Sequence, residues 1–144
     1  MNGLEILDTL AKDEIVFKYF GGLMSIDKLH LIPRSRRIFY ICNTNLWKNQ
    51  GKHWIVIHFH DGDAEFFDPL GKKPDIRFLT FMQKYSKLIF FNDVRVQPIG
   101  SNVCGEYCIF YASLMSRDMN FQEILKYMKY DKCVIDYVNE MKGV

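Results

Sequence analysis

Charge of one sign does not dominate this chain. Across 144 residues, 19 Lys and Arg stand against 17 Asp and Glu, a formal net charge of +2. That balance argues against a dedicated nucleic-acid binder, whose basic residues would far outnumber its acidic ones. Cysteine is sparse: Cys42, Cys104, Cys108 and Cys133 show no CxxC spacing. This argues against a disulfide framework or zinc ribbon and points to a reducing compartment. No apolar run reaches the length of a membrane span, and Met1-Asn2-Gly3-Leu4-Glu5 lacks a basic segment followed by an apolar one. The expectation is a soluble intracellular protein, neither secreted nor membrane-bound. Repeats, linkers and low-complexity stretches are also missing. With 49% hydrophobic and 15% aromatic residues, the chain can bury one sizeable core, so residues 1–144 read as a single domain.

The stretch that organises what is present runs from Val96-Gln97-Pro98 through Val103-Cys104-Gly105 to Tyr111. Gly100 and Ser101 break a strand. Residues Val103, Tyr107, Cys108, Ile109, Phe110, Tyr111, Ala112, Leu114 and Met115 then leave almost no polar face, as in a central buried helix. Cys104 would open that helix, where partial positive charge and unpaired N–H groups favour thiolate over thiol. Packing alone would also account for a buried cysteine.

Elsewhere, Asn2 with Glu5 and Asn120 with Glu123 read as capping boxes opening helices, the first ending near Asp13. Gly21-Gly22 reads as a turn, or as a self-cleavage site, and a polar loop runs through Pro33. Asp75 to Ser86 has helical spacing, and a last helix carries Val134, Tyr137, Val138 and Met141. Strands are expected at Ile38–Cys42, Leu88–Phe91 and Val94–Val96. Basic clusters at Arg34, Arg36 and Arg37, at Lys72 and Lys73, and at Lys126, Lys129 and Lys132 read as solvated faces. Cys42, Cys108 and Cys133 read as core residues.

A long apolar run, His53 to His60, is bounded by Asp61-Gly62, a hairpin signal, and returns as Ala64-Glu65-Phe66-Phe67-Asp68. Pairing about that turn places Ile55 opposite Asp68 to within a residue or two. His53 and Asp68 then share one end of adjacent strands, within about 5 to 8 Å. A surface histidine and a turn-initiating aspartate would look the same in isolation. Trp54 would shield the histidine or simply pack. His58 and His60 share a strand face and could bind a metal with Cys108, but no fourth ligand appears, so no metal site is expected.

Gly51-Lys52-His53-Trp54, Phe67-Asp68-Pro69-Leu70-Gly71, and Gln97 through Cys104-Gly105 resemble the adenovirus-type cysteine endopeptidases (adenain), which belong with the ubiquitin-like-protein-specific proteases. Tyr19-Phe20-Gly21-Gly22 and Ile41-Cys42-Asn43-Thr44 extend the resemblance over most of the chain. It implies an α+β, permuted papain-like fold, with a central helix carrying the nucleophile on a mixed sheet. It implies Cys104 as nucleophile, His53 as general base, Asp68 (Glu in adenain) as orienting carboxylate and Gln97 as an oxyanion-hole donor, a role worth about 3 kcal/mol. The chemistry fits those types: a thiolate attacks a peptide carbonyl, and an imidazolium stabilises it and protonates the leaving amine.

The resemblance further implies a monomer that cleaves capsid precursors of a virus or mobile element, located in the virion and host-cell nucleus or cytoplasm. It needs no cofactor beyond an activating peptide or DNA. No cysteine lies between Asp68 and Gln97 to tether such a peptide as adenain does. Removal of ubiquitin-like modifiers, with diglycine specificity, is the alternative within enzymes, and an inactive binding module is the alternative outside them.

Overall fold

The computed structural model describes residues 1–30, 37–45 and 53–143. Pro33, Arg34, Arg36, Gly51 and Lys52 lie outside them. Helices α1 (Gly3–Ala11) and α2 (Glu14–Phe17) precede strands β1 (Phe20–Ser25), β2 (Arg37–Asn43), β3 (Trp54–His60) and β4 (Asp63–Phe67). Helix α3 (Ile76–Tyr85), strand β5 (Ile89–Phe91), and helices α4 (Cys104–Ser116), α5 (Phe121–Tyr127) and α6 (Asp131–Lys142) follow. The five strands form one mixed sheet in the order β1-β2-β3-β4-β5, parallel at its two outer pairings and antiparallel at the two inner ones. No helix among the described residues is long and apolar enough to cross a membrane.

Strand periodicity divides the core into two layers. Phe39, Ile41, Trp54, Val56 and Phe67 face one side, packed with α1, α4, α5 and α6. Tyr40, Cys42, Ile55, Ile57 and Phe66 face the other, where Phe78, Phe81 and Met82 of α3 cover them. Strand β3 is apolar from Trp54 to Ile57, where both its faces are buried. Helix α4 is buried nearly all round, from Cys104 to Ser116. Both capping boxes form: Asn2 Oδ1 accepts from the Glu5 N–H at 2.9 Å, and Asn120 Oδ1 from the Glu123 N–H at 2.9 Å.

Four expectations are corrected. Gly21-Gly22 is not a turn but part of β1, paired with β2 through a register shift. Gly21 is there because a Cβ would come within 2.5 Å of the Tyr40 ring. Val94–Val96 is not a strand: the Val96 and Gln97 N–H groups both donate to the Pro69 carbonyl at 3.0 Å, holding the segment against the β4 turn. Arg37 is no solvated loop residue; its guanidinium donates to Asp118 at 2.7 Å and to the Met115 carbonyl, joining β2 to the end of α4. Cys133 is exposed, one position off the buried Val134–Val138 stripe of α6.

Candidate active site

The β3–β4 hairpin sets the first half of the site. Its ladder pairs Val56 with Phe67, and the same register carried one step further puts Ile55 opposite Asp68. His53 Nε2 and Asp68 Oδ1 lie 2.7 Å apart. The Asp68 side chain is 5% exposed and that of His53 15%, so this ion pair is shielded from water but reachable. Asp68 is held by its own turn. Its Oδ1 also accepts the Leu70 N–H at 2.8 Å, and the Gly71 N–H donates to its carbonyl at 2.8 Å.

Asn92, which sequence reasoning missed, fixes Asp68 from the other side. Its Oδ1 accepts the Asp68 N–H at 2.9 Å, and its Nδ2 donates to the Asp68 carbonyl at 2.6 Å and to Val94 O at 3.2 Å. An Asn in a short loop is unremarkable in sequence; the signal is its place just after β5, beside the end of β4.

Cys104 comes from the opposite layer, at the first position of α4. Val103 precedes it without a side-chain cap, leaving the first-turn N–H groups uncommitted to a neighbouring side chain. The structure therefore brings three of the sequence-selected residues together. Burial alone would raise the Cys104 thiol. A hydrogen bond from His53, the Trp54 and Gly105 backbone N–H groups and the imidazolium charge outweigh burial and hold it below its ordinary 9.0. Burial likewise pulls His53 down, but Asp68 and then Cys104 outweigh it and raise the imidazole to about 9. The two shifts run in opposite directions, as an imidazolium–thiolate pair requires. With Nε2 on Asp68, Nδ1 is the ring nitrogen left for the sulfur.

Gln97 is 3% exposed, and its Nε2 donates to Ser101 O at 2.9 Å, closing the loop that leads to Cys104. An amide nitrogen has a second hydrogen to give. Trp54 is buried, its indole N–H donating to the Met1 carbonyl at 3.2 Å, and its backbone N–H faces the Cys104 sulfur. His58 is engaged by Glu65 at 2.7 Å, at the far end of β3. Among the described residues no group of three His, Cys, Asp or Glu could hold a metal ion.

No family model and no curated protein matches this chain. Solved structures do. The ASFV pS273R protease superposes with a TM-score of 0.74 at 14% identity, covering 98% of this chain and 67% of its own. The SUMO protease Ulp1, with its catalytic cysteine oxidised to a sulfinic acid, gives 0.57 at 14% identity, covering 98% and 78%. The C-terminal Ulp1 protease domain in complex with Smt3, the yeast ortholog of SUMO, gives 0.50 at 15% identity, covering 96% and 78%. The chain thus spans about two thirds of the pS273R protease and has the mixed α/β fold shared by these cysteine proteases.

Proposed function

We propose that this chain is a cysteine endopeptidase that acts through an imidazolium–thiolate pair. The observation that carries this reading is the continuous set of contacts from Asp68 through His53 to the depressed thiol of Cys104. The Cys104 thiolate attacks the scissile carbonyl, forming a carbon–sulfur bond and an oxyanion. Gln97 Nε2 and the Cys104 N–H are the donors assigned to that oxyanion. His53 gives its proton to the departing amine as the carbon–nitrogen bond breaks. Water then attacks the thioester, His53 takes its proton, and the thiolate is released. Asp68 keeps the ring oriented and its charge compensated. All the groups required are side-chain or backbone groups of the protein, so the reading needs no metal or organic cofactor; an activating peptide or DNA would act on the geometry of the set.

Two substrate classes suit this machinery. Precursor proteins of a virus or mobile element follow from the adenain-like motifs and agree with the likeness to the pS273R protease. Ubiquitin-like conjugates are favoured by the likeness to Ulp1 in its complex with Smt3. A diglycine-ended ubiquitin-like substrate assayed beside a glycine-containing capsid-type peptide separates the two.

The protease reading itself is tested by brief iodoacetamide labelling at mildly acidic pH, read by peptide mass spectrometry at each cysteine. The expected result is selective alkylation of Cys104, lost in His53→Ala. Slow labelling of Cys104 that is independent of His53 overturns it and favours an inactive binding module.

A further inference from the structure

A cavity of about 300 Å3 is lined by His53 and Asp68 together with Lys72, Lys73 and Arg77. We propose that this cavity receives the leaving-amine half of the substrate, and that this half carries acidic side chains. The proposal rests on the endopeptidase reading, in which the leaving amine continues into a peptide chain.

The side follows from the chemistry. His53 must hand its proton to the leaving nitrogen, so the chain attached to that nitrogen lies on the imidazole's side of the sulfur. Neither Cys104 nor Gln97 lines this cavity.

The charge follows from which groups are already engaged. Asp68 Oδ1 is occupied by His53 and the Leu70 N–H. Asp75, the other carboxylate of the lining, accepts the Arg77 backbone N–H at 2.9 Å and its Nε at 3.2 Å. Lys72 and Lys73 are exposed and form no ion pair with a described residue. The turn before them requires glycine: Gly71 has φ +69°, and a Cβ there would stand 2.5 Å from the Arg95 nitrogen. Ile26 and Phe78, both buried, give the lining an apolar part for side-chain stems. The result is a lining that combines cations with apolar side chains and includes the proton donor. It suits aspartate or glutamate a few residues beyond the scissile bond and opposes lysine there.

The test is cleavage of an amine-blocked chymotryptic peptide library, with new N-termini read by mass spectrometry. Wild type, Lys72→Glu/Lys73→Glu, Lys72→Gln/Lys73→Gln and Cys104→Ala are compared. Two exposed charge pairs correspond to about threefold to tenfold enrichment of Asp and Glu in the first few positions after the cut. The glutamine pair should abolish the enrichment, the glutamate pair should turn it toward Lys and Arg, and high salt should shrink it in wild type. Cys104-dependent cutting without acidic enrichment, or with the same enrichment in both lysine variants, overturns the subsite alone. Absence of any Cys104-dependent cutting overturns the protease reading and this inference with it.

Discussion

Replacing Asp68 by Asn tests the electrostatic core of the site while sparing its shape. The amide oxygen can still accept from His53 Nε2 and from the Leu70 N–H, so the ring stays in place and only the negative charge is lost. In the wild type His53 is raised from its ordinary 6.5 to about 9 despite burial, with Asp68 the leading favourable cause and Cys104 the second. At 1.36 kcal/mol per pH unit, that rise is about 3 kcal/mol. Asp68's part, discounted for the partial exposure of the ring, is about 2 kcal/mol. His53 in Asp68→Asn should therefore titrate about 1 to 2 pH units lower, and the fraction of imidazolium at pH 8 should fall about twofold to tenfold. The assay is the pH titration of the His53 ring protons by NMR, run beside the alkylation rate of Cys104. Because the two groups titrate as a pair, both readouts are needed. Linkage gives a second check. A group whose pKa is raised by folding contributes stability that is full below its unfolded value of 6.5 and lost as pH rises through about 9. Cys104, whose thiol is depressed, contributes in the opposite sense across that window, so the check is a difference: Asp68→Asn should lose less denaturation free energy than wild type as pH rises through it. A His53 titration that stays near 9 in Asp68→Asn would refute the assignment of its charge partner.

Asn92→Ala leaves the buried Asp68 N–H without its partner, at about 1 to 3 kcal/mol, and takes one of two donors from the Asp68 carbonyl, which keeps the Gly71 N–H; a lowered urea midpoint and reduced turnover are expected, and unchanged turnover would remove Asn92 as a positioning residue. Gln97→Ala should lower kcat about 100-fold to 1,000-fold, as loss of an oxyanion donor does, while leaving the rate of Cys104 alkylation near that of wild type; a fall in alkylation instead would make Gln97 a structural brace for the loop that Ser101 closes. Gly71→Ala combines a positive φ with a backbone clash at 2.5 Å and should cost more than about 1 to 3 kcal/mol in chemical denaturation; a midpoint equal to that of wild type would mean the turn relaxes freely.

What could be read in advance depended on whether the signal was local. The His53–Asp68 contact was legible because a two-residue turn fixes the register of everything it joins, and the predicted opposition of Ile55 and Asp68 agrees with the observed ladder. The start of α4 was legible because Gly100 and Ser101 stop the preceding segment and an uninterrupted apolar run follows. Contacts that depend on distant residues were not. Gly21-Gly22 carries the composition of a turn, and only the Tyr40 ring packed over it explains a strand there. Arg37 sits among basic residues and looks solvated until Asp118 and the Met115 carbonyl come to it from α4. Asn92 has no local signature at all, because its role consists of bonds to a residue 24 positions earlier.

Cys104 and Cys108 lie one turn apart on the same helix, and their contrast separates the contribution of the helix from that of its partners. Cys108 is buried, and burial, followed by the charges of Cys104 and Asp68, pushes its thiol well above 9.0. Cys42, equally buried on β2, is raised by burial as well. Burial acts on Cys104 in the same direction, and it is overcome only where an imidazole and two backbone N–H groups converge on the sulfur. The macrodipole falls off within the first turn, so it favours Cys104 over Cys108, but at about 0.3 to 1 kcal/mol it is too small to account for the reversal. The hydrogen bond and charge of His53 must supply the greater part. The reactivity of this helix start is therefore conditional on the hairpin: a variant that leaves α4 intact but displaces His53 from Asp68 should turn Cys104 into a buried thiol of the same kind as Cys108.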